Sequence, residues 1–227
     1  MQRRLLHPSR TVALLFLLLI VVGTMLLRLP LAQAEGQAAP WLTALFTAVS
    51  AVCVTGLVVV DTGTYWSPFG QAIVMVLFQL GGFGLMTAAA LLGLMVNRSL
   101  RLRTRMLTQA ETHTIGLGDV SSVARVVLVV TFLCEAALAL VLTARLHYGY
   151  ELPWGAAAWS GVFHAISSFN NAGFSLHADS LMRYAADAWV LVPVMIGIFI
   201  GGIGFPVLQD ISGRSFVIRT AGRCTPS

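Results

Sequence analysis

The chain has 227 residues, of which 57% are hydrophobic and only 10% are charged. A water-soluble domain carries about 25% charged residues, so this composition excludes a domain that faces water on all sides and points to a helical membrane protein. The net charge of +5 comes from arginine alone, since there is no lysine, and in a membrane chain such an excess reports topology rather than nucleic-acid binding.

Residues 1–10 are basic, with Arg3, Arg4 and Arg10, and Thr11–Leu27 is continuously apolar. This start imitates a secretory leader, with Ala32-Gln33-Ala34 as a cleavage step, but the apolar run exceeds a leader core of about 7–15 residues. It is expected to remain as a first transmembrane span. Pro40–Ala51 is expected to form a half-length helix, too short to cross roughly 30 Å of hydrocarbon, with Pro40 suited to its start. Val52–Leu57 reads as a turn, and Val58–Ser67, with Asp61, as a return to the surface. Phe69–Val96 is a long uncharged span whose Gly81, Gly82 and Gly84 let neighbouring backbones approach closely in lipid.

Asn97–Arg105 is strongly basic and reads as a solvated loop, followed by an exposed connection over Thr108–Val120. Val123–Thr143 is the third apolar stretch, with Arg125 near its start and Glu135 near its middle. Arg145–Pro153 reads as a surface turn, Trp154–Ser168 as a second short helix, and Phe169–Phe174 as a second turn. His177–Asp187 returns to the surface. Ala188–Leu208 is the fourth span and contains Pro193, and Gln209–Ser227 is a polar, basic tail. The expected division is 1–10, 11–97, 98–122, 123–208 and 209–227, with 11–97 and 123–208 as two like units.

The likeness of those units is visible residue by residue. Phe46–Leu57 and Phe163–Phe174 superpose without a gap, pairing Phe46 with Phe163, Ala48 with Ala165, Ser50 with Ser167 and Gly56 with Gly173. A second echo follows, QLGGFG at Gln79–Gly84 and FIGGIG at Phe199–Gly204. Two echoes in register argue for an internal repeat of span, short re-entrant helix, turn and span, an order familiar from membrane transport proteins. The fold class expected is therefore an all-α membrane protein of two span–pore loop–span repeats, four transmembrane helices with two re-entrant half-helices.

Arginine placement agrees with that map. With the N-terminus inside and two crossings per repeat, only Arg28, Arg145 and Arg183 fall outside, while the inner segments hold the rest. Both termini are then cytoplasmic. The outer loops carry Glu35, Asp61, Glu151, Asp179 and Asp187, a negative rim that would concentrate cations. Irregular backbone at membrane depth survives only where protein or a water-filled cavity satisfies it, so the two turns should line a shared axis. Backbone carbonyls there could replace the water around a dehydrating cation. Gly56 and Gly173 permit the dihedrals that aim carbonyls inward, and the short helices would direct their partially negative C-termini at the ion.

CVTGL at Cys53–Leu57, FQLGGFGLMT at Phe78–Thr87, SSFNNAGFS at Ser167–Ser175 and GGIGFP at Gly201–Pro206 together resemble the Trk/Ktr/HKT potassium transporters, most closely their bacterial membrane subunits. The likeness runs from the first span to about Leu208. It implies a potassium-channel-like fold, residence in the bacterial inner membrane, and K+ as the transported ion. By this resemblance Gly56 and Gly173 are filter glycines. Val54 and Thr55 lend filter carbonyls in the first repeat, as do Asn171 and Ala172 in the second, with Cys53 and Asn170 beside them. The family carries four repeats per chain and this sequence holds two, so a pore would need self-association or a separate second half. The other reading is a non-conducting fragment that acts only in assembly. The resemblance also implies a cytosolic nucleotide-binding regulatory subunit, for which the arginines of Arg98–Arg105 and of the tail are plausible contacts.

Other residues divide between function and packing. Glu135 inside a span is a candidate for function, with a buried carboxyl paired to a neighbouring helix or held neutral as the structural alternative. His164 is expected to be packed and satisfied, because no acid or cysteine stands at metal-ligand spacing from it. Cys53, Cys134 and Cys224 form no metal or disulfide pattern. Trp41, Trp66, Trp154, Trp159 and Trp189 fall near span ends, as interfacial anchors do. No nucleophile, acid–base pair or HExxH motif supports an enzyme.

Overall fold

The computed structural model describes residues 8–85 and 117–203, with side chains described from Val12 in the first stretch and from Leu128 in the second. These residues form α1 (Pro8–Leu27), α2 (Trp41–Val52), the single turn α3 (Thr62–Tyr65), α4 (described over Pro68–Leu85), α5 (Leu117–Tyr150), α6 (Trp154–Phe169) and α7 (Ala188–Ile203). No strand occurs among them beyond an isolated bridge between Gln33 and Trp66. The basic segment Asn97–Arg105 and the tail Gln209–Ser227 lie outside the described residues, as do the far ends of the second and fourth expected spans.

The two short helices begin alike. Pro40 and Pro153 sit just before α2 and α6 with nearly equal dihedrals, φ −53° and ψ 141° against φ −54° and ψ 143°. A proline there loses nothing, since a helix's first N–H groups have no intrahelical partner. At about 1.5 Å per residue, the 12 residues of α2 and 16 of α6 reach roughly 18 and 24 Å, short of a bilayer's hydrocarbon. By contrast, Pro68–Leu85 and Leu128–Tyr150 are long and apolar enough to cross a membrane.

Several sequence expectations are corrected. The surface turn expected at Arg145–Pro153 is mostly helix: α5 runs on to Tyr150, and only the residues just before Pro153 turn. The extension has a partner, because Arg145 Nε donates to Asp187 Oδ2 at 2.8 Å and Tyr150 Oη donates to the same oxygen at 3.0 Å. At its other end α5 begins at Leu117, inside the segment expected to be an exposed connection. Trp66 is not an interfacial anchor. Only 1% of it is exposed, in the core that joins the two halves, whereas Trp41, Trp154 and Trp189 are open as anchors should be. Trp159 instead donates from Nε1 to Gln71 Oε1 at 2.7 Å.

Phe78 of α4 is the centre of the larger apolar cluster. It meets Phe163 of α6 edge-on at 5.6 Å and stacks with Phe174, beyond α6, at 5.9 Å. An aromatic of the first half is thus held between two of the second. A smaller cluster gathers Leu142 and Leu146 of α5, Ala157 and Ala165 of α6, and Val190 and Val194 of α7. Gln71 reinforces the junction, donating from Nε2 to the carbonyls of Gly63 and Trp66 while it accepts from Trp159.

Candidate functional site

The site is built from the two chain segments that follow α2 and α6. Each helix closes with the same three backbone hydrogen bonds. After α2, the amides of Cys53, Val54 and Thr55 donate to the carbonyls of Val49, Ala51 and Ser50 at 2.9, 3.1 and 2.9 Å. After α6, the amides of Asn170, Asn171 and Ala172 donate to Ile166, Ser168 and Ser167 at 3.1, 3.0 and 2.7 Å. Every member of one set stands 117 positions from its counterpart in the other. The pair of crossed bonds is a Schellman cap, which requires a left-handed residue just past the helix. Val54 (φ 55°) and Asn171 (φ 57°) occupy that place. Asparagine tolerates it, whereas a β-branched valine there is strained.

Two residues further on, Gly56 (φ 70°) and Gly173 (φ 72°) are left-handed as well. The two turns meet at these glycines: a Cβ placed on Gly56 would lie 2.9 Å from the Cα of Gly173. Among the described residues, none of the carbonyls of Cys53, Val54, Thr55, Gly56, Asn170, Asn171, Ala172 or Gly173 accepts a hydrogen bond. The caps consume the carbonyls of the preceding helical turns and leave these eight free.

The glycine echo acquires a physical reason here. A Cβ on Gly81 of α4 would collide with the carbonyl oxygen of Val52, the last residue of α2. A Cβ on Gly201 of α7 would collide with the carbonyl oxygen of Phe169, the last residue of α6. In each half, the helix after the turn presents a bare backbone on which the end of the short helix is seated.

The two turns differ in their side chains. Cys53 and Thr55 are exposed, and the Thr55 hydroxyl donates to Ser50 Oγ at 2.9 Å. Asn171 and Gly173 are exposed, but Asn170 and Ala172 are buried. The two hydrogens of Asn170 Nδ2 are shared among three acceptors, Gln79 Oε1 at 2.8 Å, Glu135 Oε1 at 3.1 Å and the carbonyl of Ile166 at 2.9 Å. Gln79 Nε2 donates to Glu135 Oε2 at 3.2 Å. Glu135, only 3% exposed, is thus paired across α4, α5 and the end of α6, in keeping with the structural alternative.

His164 is packed and satisfied. Its Nδ1–H donates to the Ser160 carbonyl at 2.7 Å, so Nε2 accepts from the Ser175 hydroxyl at 3.0 Å. Its ring stacks on His177 at 5.1 Å beside a cavity of about 190 Å³ behind the second turn. Burial, and then the nearby Arg183 guanidinium, press the His177 pKa below its ordinary value against the opposing pull of Asp179 and Asp61. The negative rim is partly neutralised, since Asp187 pairs with Arg145 and Asp179 with Arg183. No group of three or more His, Cys, Asp or Glu side chains fit to hold a metal occurs among the described residues.

Residues 1–220 match the TrkH family, described as a cation transport protein. The chain belongs to the TrkH family. Among its relatives, the Ktr system potassium uptake protein B of Bacillus subtilis is 41% identical over 204 residues, covering 90% of this chain and 45% of that protein. The potassium/sodium uptake protein NtpJ of Enterococcus hirae is 33% identical over 216 residues, covering 92% and 46%. The Ktr system potassium uptake protein B of Vibrio alginolyticus is 37% identical over 203 residues, covering 89% and 44%. The chain therefore spans about half the length of these relatives. TrkH is a family of transporters rather than enzymes, and its membrane character agrees with the apolar helices described above.

Sequence reasoning did not anticipate Gln79, or the inward role of the Asn170 side chain. The signal was faint: within the superposed turns the capping residue changes from Cys53 to Asn170, an apolar thiol against an amide.

Proposed function

We propose that the chain is one half of a potassium-conducting pore in which the two turns supply carbonyl ligands to K+. The observation that carries this reading is the meeting of Gly56 and Gly173, with eight carbonyls in the two turns that accept no hydrogen bond from the described residues. Carbonyl dipoles can take the place of water around a cation without a buried formal charge. The C-terminal ends of α2 and α6 add partial negative charge on the same side, a field that favours cations and repels anions. Residues 11–97 and 123–208 are then two span–pore loop–span repeats, and Cys53, Val54, Thr55, Gly56, Asn170, Asn171, Ala172 and Gly173 form half of the filter.

Two further repeats complete the pore, whether they are carried by a second copy, by a separate polypeptide or by further sequence of the same protein. The twofold length of the relatives supports this. Both termini lie in the cytoplasm, where a nucleotide-binding regulatory subunit contacts the arginines of Arg98–Arg105. A non-conducting assembly role is the competing outcome.

The test is rubidium uptake into proteoliposomes, with the chain alone and with a second half supplied. Uptake that is abolished by Gly56→Ser and by Gly173→Ser is the expected result. No uptake in either condition would overturn the reading. Competition by sodium separates a potassium-selective filter from a mixed one.

A further inference from the structure

The hydrogen bonds around Glu135 form a closed ring of three contacts. Asn170 Nδ2 meets one end of Gln79 and one end of Glu135, and the other ends of those two side chains meet each other. The Ile166 carbonyl can only accept, so it fixes Nδ2, rather than Oδ1, as the atom of Asn170 that faces the ring. The Oδ1 atom points the other way, buried and with no hydrogen-bond partner among the described residues, against the bare backbone of Gly82.

Such a ring cannot be closed by three amides. An amide is a donor at one end and an acceptor at the other. If positions 79 and 135 were both amides and both turned their oxygens to Asn170, their nitrogens would face each other at the third contact. If Asn170 were flipped and both turned their nitrogens to it, their oxygens would face each other. One of the two must accept at both ends, as a carboxylate does. A side chain with an acceptor oxygen at each end is thus required by hydrogen-bond parity, and Glu135 supplies it.

We propose that Glu135, through Gln79 and Asn170, is a positioning residue that locks the second ion-binding turn against the first repeat and so sets ion selectivity. Asn170 immediately follows α6 and precedes Asn171, Ala172 and Gly173, so its side chain anchors the start of that turn. Gln79 lies two residues before Gly81, where α4 receives the end of α2. One ring therefore ties α5 and the second turn to the span that seats the first. Cys53, at the equivalent place in the first turn, has no amide to make a matching lock. This role rests on the transport reading above.

The experiment compares Glu135→Gln, Gln79→Glu and the exchange of both. The exchange keeps all three hydrogen bonds, with the acceptor-only side chain moved to position 79. Melting temperature in detergent reports the ring. Rubidium uptake with sodium competition, measured with a second half supplied, reports the turn. Glu135→Gln leaves two donors facing each other, and Gln79→Glu leaves two carboxylate oxygens facing each other until a proton is taken up between them, so at neutral pH and above each is expected to melt a few degrees lower and to lose about tenfold of the rubidium preference. The exchange is expected to restore both. An exchange that melts no higher than the singles overturns the ring. Singles that melt lower but keep the wild-type preference overturn the positioning role and leave a structural contact. Wild-type protein without uptake overturns the transport reading and the selectivity role together, while melting still decides the ring.

Discussion

The carbonyl of Phe169, the last of α6, rests directly on Gly201 of α7. The only space for it is the missing side chain, so Gly201→Ala should push the second turn away from its span. We expect a loss of several degrees in melting and strongly reduced rubidium uptake. Gly202→Ala is the matched control, because among the described residues a Cβ there would meet only Asn171 Nδ2 at 3.7 Å, an ordinary contact. Equal behaviour of the two variants would mean that Phe169 does not need this seat.

Val54 carries strain that Asn171 does not, since both stand in the left-handed region but only one is β-branched. Val54→Asn should therefore raise thermal stability, by up to about 1 kcal/mol given the cost of a left-handed conformation for such a residue. A lower melting temperature would show that the valine side chain contributes more through packing than its backbone costs.

Cys53 is exposed at the first turn, whereas Cys134 is half-buried on α5. In a Cys224→Ser background, a membrane-impermeant thiol reagent should modify Cys53 much faster than Cys134, and Cys53→Ser should remove the fast phase. If the turn binds K+, potassium should slow the modification more than sodium does. Identical rates in the two salts would count against an ion at this place.

The Arg145–Asp187 pair ties the C-terminal end of α5 to the residue just before α7. Burial acts to raise the pKa of Asp187, but the hydrogen bonds from Arg145, Tyr150 and the Trp189 amide outweigh it, so the net shift is downward. A depressed carboxyl contributes stability above its unfolded value and loses it as pH falls through the folded one. The contribution should therefore be constant at neutral pH and disappear only below the ordinary aspartate value of 3.8. Arg145 is 38% exposed, so solvent screening keeps the effect small. Melting curves from pH 3 to 7 for the wild type and Asp187→Asn check this, and the two should converge only at the acid end.

Much of this protein is local in origin and could be read from the chain alone. The apolar runs, the prolines ahead of the short helices, the paired Ser50 and Ser167, and the paired Gly56 and Gly173 all express requirements met within a few residues. A capped helix end needs its left-handed residue and its free carbonyls wherever it lies, so the turns were visible as a repeated pattern. Helix ends set by distant partners were not. The extension of α5 past Arg145 answers to Asp187 on the loop before α7, and the burial of Trp66 answers to the joining of the two halves.

The tertiary structure decided which side chain meets which. A repeat fixes the backbone of two turns alike, but it does not say that Asn170 turns inward while Cys53 stays exposed. Nor can sequence spacing place Gln79, Glu135 and Asn170 in one ring, since the three come from different elements and are dispersed along the chain. The composition established a helical membrane chain because too few charges remain to face water. The pairing of buried polar groups emerged only from packing, because a donor inside an apolar interior must find its acceptor wherever the fold happens to bring one.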